Sequence, residues 1–153
     1  MSKAYQLFVY FDRFLKREIK LAVKEATEEV AARASESHAY HTRTGFLERE
    51  GVKTRYEDEG YVGVAYLDPR VPYAEAVHNG SRPHEILPKK RQALRWATGE
   101  GLGFWFAKRV FHPGYKGDPF LYNALDEMQA DIQDIFDYRV ERALKEAENA
   151  INS

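Results

Sequence analysis

The sequence predicts an α+β fold with an N-terminal amphipathic helix, an antiparallel sheet built from hairpins, a short helix and a long C-terminal helix. Apolar residues recur every three or four positions near both ends of the chain, which is helical spacing. Between these ends lie short strand-like runs joined by glycine-containing loops, a pattern typical of β-hairpins. Because hairpin strands pair antiparallel, this order favours α+β over a parallel βαβ topology.

The chain length and composition predict one folded domain. A chain of 153 residues falls within the size of a single domain, and its 44% hydrophobic and 31% charged residues are typical of a globular protein. We therefore predict a single domain over residues 1–153. The C-terminal helix, about residues 119–150, is long enough to extend from that domain.

The N-terminal region predicts a strand followed by a helix. Residues 5–11 are aromatic and β-branched, as strand residues commonly are. Asp12 follows them as a candidate helix cap. Apolar residues then recur at helical spacing from Phe14 to Val30, so the predicted helix ends between Ser35 and His38.

The middle of the chain predicts two hairpins separated by a short helix. The first hairpin pairs residues 52–56 with 61–66 around an acidic loop at 57–60. Pro72 opens a short helix that Asn79-Gly80 stops, because glycine adopts a left-handed cap readily. The remaining expected elements are a brief extended segment at 84–87, strands at 93–97 and 102–110, and a turn at 98–101.

The last predicted element is a helix of about 30 residues that begins at Asp118-Pro119, a capping residue followed by proline at the first helical position. At 1.5 Å per residue it spans roughly 45 Å. One small domain does not cover a helix of that length, so we expect part of its apolar stripe to face another subunit.

The composition excludes several classes of protein. The chain has no cysteine, which removes disulfides, thiol catalysis and cysteine-based zinc sites. A net charge of −1 lacks the basic excess of a dedicated nucleic-acid binder. The charged N-terminus predicts no signal peptide, and the absence of a run of about 18 apolar residues predicts no membrane span.

Histidines and glycines supply weak candidates for a chemical site. His38 and His41 are three residues apart, as metal ligands on one helical face are, but a solvated helix end is the favoured interpretation. We expect hydrogen-bonding turn roles for the other histidines. The Gly-rich segment 99–103 lacks the Lys-Ser/Thr pair of a phosphate loop and favours a hairpin loop. The other histidines are His78, His84 and His112.

A basic cluster gives an alternative function. Lys89, Lys90, Arg91 and Arg95 lie close in sequence to aromatic residues, and that combination can bind single-stranded nucleic acid. Strand alternation instead predicts that the aromatics enter the core while the charges face solvent, and this interpretation is favoured. The aromatic residues concerned are Trp96, Phe104 and Trp105.

Several short motifs, in order, resemble a family of bacteriophage proteins. Thr44-Gly45-Phe46-Leu47 resembles the T-G-x-L signature of the tail-completion and head–tail joining proteins of tailed phages. Residues 73–81 resemble the family's Y-A-x-x-V-E-x-G-T segment, with His78 and Ser81 in place of Glu and Thr. The segments 86–94 and 110–124 are similar to its I-x-P-K…A-L and V-x-H-P-G…P-F-L-x-x-A motifs.

The resemblance implies a structural virion protein that completes the tail and joins it to the head connector. Members of the family act as homo-oligomers, often rings, and are assembled in the bacterial host cytoplasm. Implied partners are connector or portal-side head proteins and the tail tube or tail terminator protein, with weak DNA contact conceivable in a neck. We predict no enzymatic activity and nominate no catalytic, cofactor-binding or metal-binding residue.

Two other functions stay open from sequence. One is a small nucleic-acid binding module that uses the Lys89–Arg95 basic face. The other is a hydrolase or metal enzyme that uses the histidines, although the serines have no recognisable nucleophile context.

Overall fold

A computed structural model describes residues 2–42, 44–98 and 103–152 and contains five α-helices, a short 3-10 helix (Asp58–Gly60) and six strands in these ranges. The helices are α1 (Lys3–Glu36), α2 (Phe46–Glu50), α3 (Ala74–Asn79), α4 (Phe120–Glu127) and α5 (Gln129–Asn152). The strands are β1 (Val52–Glu57), β2 (Val62–Leu67), β3 (His84–Ile86), β4 (Leu94–Ala97), β5 (Phe104–Ala107) and β6 (Val110–His112). The predicted α+β class is confirmed.

Helix α1 contains the segment 5–11, so the predicted N-terminal strand is wrong. The side chain of Ser2 accepts a hydrogen bond from the backbone N–H of Tyr5 and caps the helix. Asp12 is not a cap: it lies inside the helix and pairs with Lys16, four residues on, at 2.8 Å. No strand lies beside residues 5–11 in the described chain, and without a partner strand their β-propensity does not decide the conformation.

The first hairpin is confirmed and packs on α1. Strands β1 and β2 pair antiparallel from Val52 opposite Leu67 to Glu57 opposite Val62. The loop at 57–60 turns with positive φ angles at Asp58, Glu59 and Gly60. Gly63 of β2 faces α1 so closely that an added Cβ would lie 1.8 Å from the Thr27 hydroxyl oxygen. Glycine at 63 therefore allows the sheet to contact the helix.

The short helix α3 is also confirmed, and it ends at Gly80 with a φ of +82°. Beyond it, Ser81 and Tyr115 exchange two backbone hydrogen bonds of 2.8 and 2.9 Å. Strands β3 and β6 then pair antiparallel, with His84 opposite His112. The predicted strand 102–110 is thus divided, because β5 and β6 pair with different partners.

Strands β4 and β5 form a third antiparallel pair, and the described strands comprise three two-stranded ribbons in all. The tip of the β4–β5 ribbon, 99–102, lies outside the described residues, and with it most of the predicted turn at 98–101 and Gly-rich segment. In the described part of that segment, Gly103 accepts a hydrogen bond from the backbone N–H of Thr98 at 3.0 Å.

The predicted long C-terminal helix is present, but it is divided into α4 and α5. Its path breaks at Met128, where φ is −93° and ψ is 7°. The Met128 side chain is buried in the core, and both α4 and α5 pack on α1. The break therefore allows each segment to lie against the N-terminal helix.

The core lies where α1, α3, α4 and the first hairpin meet, and Phe120 is its largest apolar side chain, 1% exposed. The Phe120 ring contacts the rings of Tyr40 and His78 edge-on, with centroids 5.2 and 5.1 Å apart. The other buried members of the core are Val30, Ala34, Leu47, Val71, Ala74, Ala124 and Met128.

An ion-pair network outside this core joins α1 to α5. The buried Glu18 carboxylate accepts hydrogen bonds from Arg17 at 2.8 Å and from Arg139 at 3.2 Å. Arg139 also pairs with Glu25 at 2.6 Å. Burial opposes ionisation of Glu18, but the two guanidinium groups outweigh it and hold its pKa below the ordinary value. The small residues Ala22, Ala143 and Ala147 are buried nearby along the two helices.

We expect Arg139→Met to destabilise the protein by about 3 kcal/mol at pH 7, because it removes a partner from a buried carboxylate. Because the folded pKa of Glu18 is lowered, its stabilisation is present above the unfolded value of about 4.5 and is lost as pH falls through the folded pKa. The difference in the free energy of unfolding between wild type and variant should therefore narrow at acidic pH. Urea denaturation at several pH values measures this difference.

Lys16→Met is the matched control, since Lys16 belongs to an exposed ion pair with Asp12 on the same helix. It should change stability little at any pH. An Arg139→Met loss that stays constant from neutral to acidic pH would contradict the assignment of Glu18 as the group responsible.

Candidate interaction surface

Asp118 connects the loop after α1 to the segments that follow α3. Its buried carboxylate accepts the backbone N–H groups of Ala39 at 2.6 Å and Tyr40 at 3.0 Å. Its own N–H donates to the carbonyl of Val77 at 2.9 Å. Asp118 therefore joins chain segments that are distant in sequence. It does not cap the last helix as predicted, because Pro119 occupies the N-cap of α4 and no side chain caps the helix.

This junction borders an apolar cleft of about 650 Å³. The cleft brings together parts of three motif segments: Gly45–Leu47, Tyr73 with Val77, and the neighbourhood of Tyr115. Tyr40 lies at its base with a buried hydroxyl that has no hydrogen-bond partner among the described residues. Burial, and then the nearby Glu48 and Asp118 carboxylates, raise the pKa of this phenol.

His38 and His41 do not lie on a helix, because α1 ends at Glu36. His38 stacks on the Tyr40 ring, with centroids 3.8 Å apart, and its Nε2 lies 3.5 Å from a Glu48 oxygen. His41 is exposed. The suggested metal-binding pair is therefore not formed.

The remaining histidines form hydrogen bonds as predicted, but they lie in α3, β3 and β6 and not in turns. His78 is buried, and its Nδ1 lies 2.8 Å from the side-chain oxygen of Asn79. His84 and His112 stack across β3 and β6, with centroids 5.1 Å apart. Nδ1 of His112 accepts the N–H of Gly114. Within the described ranges, no group of three or more His, Asp or Glu side chains could hold a metal ion.

The most unusual surface is the β4–β5 ribbon, whose aromatic side chains are exposed. Trp105 is 62% and Phe106 is 66% exposed, and Trp96 and Phe104 are also largely open to solvent. The prediction that strand alternation carries these aromatics into the core is wrong. Alternation buries one face only when another layer covers it, and in the described chain β4 and β5 pack chiefly against each other.

Both faces of this ribbon carry aromatic groups. Trp96 lies directly opposite Trp105, and their side chains share one face. The other face has Phe104 and Phe106 beside Arg95, whose guanidinium carbon lies 4.3 Å from the centroid of the Phe104 ring. Clustered exposed aromatic side chains on a folded protein are a candidate interaction surface.

Basic side chains flank the ribbon. Lys89, Lys90 and Arg91 precede β4 and are exposed, and none forms an ion pair with a described residue. After β5, Arg109 lies 3.5 Å from Glu85 across the neighbouring ribbon. The basic cluster of the sequence therefore becomes one end of the aromatic surface.

Sequence reasoning missed this surface although a signal was present. Residues 94–97 and 104–107 contain one charged side chain, Arg95, so neither face is clearly polar. A strand that is apolar on both faces needs cover on both, and among the described residues no second layer packs over this ribbon.

We expect the isolated chain to show red-shifted tryptophan fluorescence that acrylamide quenches efficiently. Both of its tryptophans, Trp96 and Trp105, lie on the exposed ribbon, so emission reports this surface alone. Single Trp96→Phe and Trp105→Phe variants separate the two signals. A blue-shifted, unquenched emission from a verified monomer would mean that the ribbon folds back onto the body.

Comparison with known proteins does not indicate a function for this surface. No protein-family model, no curated protein and no solved structure matches the chain. Among the described residues, no helix combines the length and apolarity needed to cross a bilayer.

Proposed function

We propose that this protein is a structural component of a tailed-phage virion that completes the tail and joins it to the head connector. The observation that carries the proposal is the aromatic β4–β5 ribbon, an apolar surface that needs a protein partner to cover it. A protein that works by assembly requires such surfaces, and the ordered motifs of the sequence point to the phage neck as the assembly.

The geometry of the motif segments supports this proposal. Gly45, Gly80 and Gly114 all have positive φ angles, which explains the glycine at the turn in three of the four motifs. At Gly114 an added Cβ would lie 2.6 Å from the Ser81 carbonyl oxygen, so two motif segments pack backbone to backbone. Phe120, in the last motif, occupies the centre of the core. The motifs therefore act as a scaffold that holds the ribbon and the cleft.

In this role the protein forms a homo-oligomer, in the form of a ring, in the neck of the virion. One side of the ring contacts connector or portal-side head proteins, and the other contacts the tail tube or tail terminator protein. The protein catalyses no reaction, and its assembly takes place in the bacterial host cytoplasm.

Co-purification with neck proteins tests the proposal. We expect the chain, expressed with the connector and tail-tube proteins encoded beside it, to form a defined complex in size-exclusion chromatography with light scattering. Trp105→Ser should weaken this complex because it removes the centre of the apolar surface. Phe8→Ser, which changes an aromatic residue of similar exposure on α1, is the matched control.

A strictly monomeric chain that binds neither the connector nor the tail tube at any concentration would contradict this function. Turnover of a metabolite that a single side-chain replacement abolishes would contradict it as well.

A second candidate function is nucleic-acid binding by the Lys89–Arg95 face. The exposure of Trp96, Phe104 and Trp105 favours it, because bases stack on open aromatic rings beside cationic side chains. The net charge of −1 opposes it, because the chain lacks the basic excess that attracts phosphates.

For this second function, fluorescence anisotropy with labelled single-stranded DNA should show binding that weakens steeply with salt. Changing Lys89, Lys90 and Arg91 to Glu should abolish that binding. The same charge change at the exposed residues Lys3, Arg13 and Lys24 should leave it nearly intact. Absence of binding at low salt removes the candidate.

A further inference from the structure

We propose that the β4–β5 ribbon of one copy packs on the outer face of α5 of a second copy, in a head-to-tail contact. The receiving surface, named the α5 stripe, consists of Asp137, Val140, Glu141, Leu144 and Glu148. The inference rests on the proposed assembly function and names the surfaces through which copies of the chain meet.

The ribbon requires a partner for its own stability. A two-stranded hairpin alone in water is marginal, and its outer edges expose unpaired backbone groups. Both faces carry exposed aromatic rings, with Trp105 at 62% and Phe106 at 66%. Protein contact on these faces removes that apolar area from water, which phosphate contact with the flanking lysines does not.

Charge complementarity within the chain indicates which protein covers the ribbon. Residues 82–110, which contain the ribbon, have seven Lys or Arg and two Asp or Glu. Residues 120–153, which contain α4 and α5, have three Lys or Arg and eight Asp or Glu. The two segments therefore carry opposite charges of +5 and −5, and copies of one chain can pair them.

The α5 stripe has the chemistry to receive the ribbon. Its five residues are spaced by three, four, seven and eleven positions from Asp137, so they share one side of the helix. All five are exposed, with Val140 and Leu144 at 38% and 42%. The stripe thus alternates carboxylates with apolar side chains.

The stripe is not used inside the monomer. The side of α5 that packs on α1 contains Arg139, Ala143 and Ala147, which are wholly or largely buried. Neither Glu141 nor Glu148 forms an ion pair with a described residue, and Asp137 accepts a hydrogen bond only from Gln133 on the same helix.

The two surfaces also match in length. From 137 to 148 the stripe spans roughly 16 Å at 1.5 Å per residue. A four-residue strand spans roughly 13 Å at 3.3 Å per residue. Because the contact uses two different patches of the same chain, each copy can both donate a ribbon and receive one. Such a heterologous contact generates a ring when its rotation closes.

Charge reversal and its compensation test the contact. The first variant, the ribbon variant, changes Lys89, Lys90 and Arg91 to Glu, and the second, the stripe variant, changes Asp137, Glu141 and Glu148 to Lys. Each alone should weaken self-association by at least roughly 100-fold, because like charges then face each other. An equimolar mixture of the two variants should associate again. In the mixture, the ribbon of each variant meets a stripe of opposite charge on the other variant.

In this mixture only contacts between unlike variants are complementary in charge. The Glu-bearing ribbon of the first variant pairs with the Lys-bearing stripe of the second, whereas the second variant's unchanged basic ribbon pairs with the first variant's unchanged acidic stripe. Alternating copies therefore satisfy every contact. Analytical ultracentrifugation measures the assembly, and the blue shift of Trp96 and Trp105 emission reports that the ribbon itself is covered.

The control variant changes the exposed residues Glu29, Glu36 and Glu75 to Lys, which gives the charge change of the stripe variant elsewhere on the surface. It should retain self-association. Because the chain has no cysteine, single replacements also allow site-specific cross-linking. A short bis-maleimide should join Ala97→Cys copies to Leu144→Cys copies, and should not join Ala97→Cys copies to Glu29→Cys copies.

The outcomes separate this inference from the proposed function. Undiminished self-association of both charge variants, with no cross-link between positions 97 and 144, overturns the ribbon–stripe contact but leaves a neck assembly standing. A ribbon variant that loses only salt-dependent DNA binding also overturns it and assigns the basic segment to nucleic acid. A wild-type chain that stays monomeric and binds no connector or tail-tube protein overturns both.

Discussion

The buried carboxylate of Asp118 is the interaction on which the arrangement of the other parts depends. Its hydrogen bonds to the backbone of Ala39 and Tyr40 hold the loop after α1 against the start of α4. Two residues later Phe120 enters the core between the rings of Tyr40 and His78. Loss of the carboxylate would leave both N–H groups without this acceptor, and at the buried Tyr40 this costs more than the loss of an ordinary exposed contact.

Stability and interaction are divided between two parts of the molecule. The five helices and the loops around Tyr40 and Val71 contain the buried side chains, and the Glu18–Arg139 network joins α1 to α5. The β4–β5 ribbon contributes almost nothing to that core and leaves its aromatic rings in solvent. Such a division is expected of an assembling protein, because the surface that meets a partner must stay open until the partner arrives.

The sequence motifs and the exposed surface support the same proposal in different ways. The motif glycines and Phe120 organise turns and packing, so they indicate which fold is built. The ribbon and the α5 stripe lie largely outside the buried parts of these motifs, and they are the surfaces at which we propose that partners bind. Because the motif residues and the surface residues differ, the resemblance suggests a class of protein but does not identify the residues that contact partners.

The sequence by itself determined the features that depend on local chemistry. The alternation of residues 52–67 predicted the first hairpin, and Asn79-Gly80 predicted the end of α3, since both follow from backbone preferences within a few residues. Only the tertiary structure decided that residues 5–11 are helical and that Met128 interrupts the last helix. It alone also revealed the open ribbon, because whether an apolar strand is buried depends on which other elements exist to cover it.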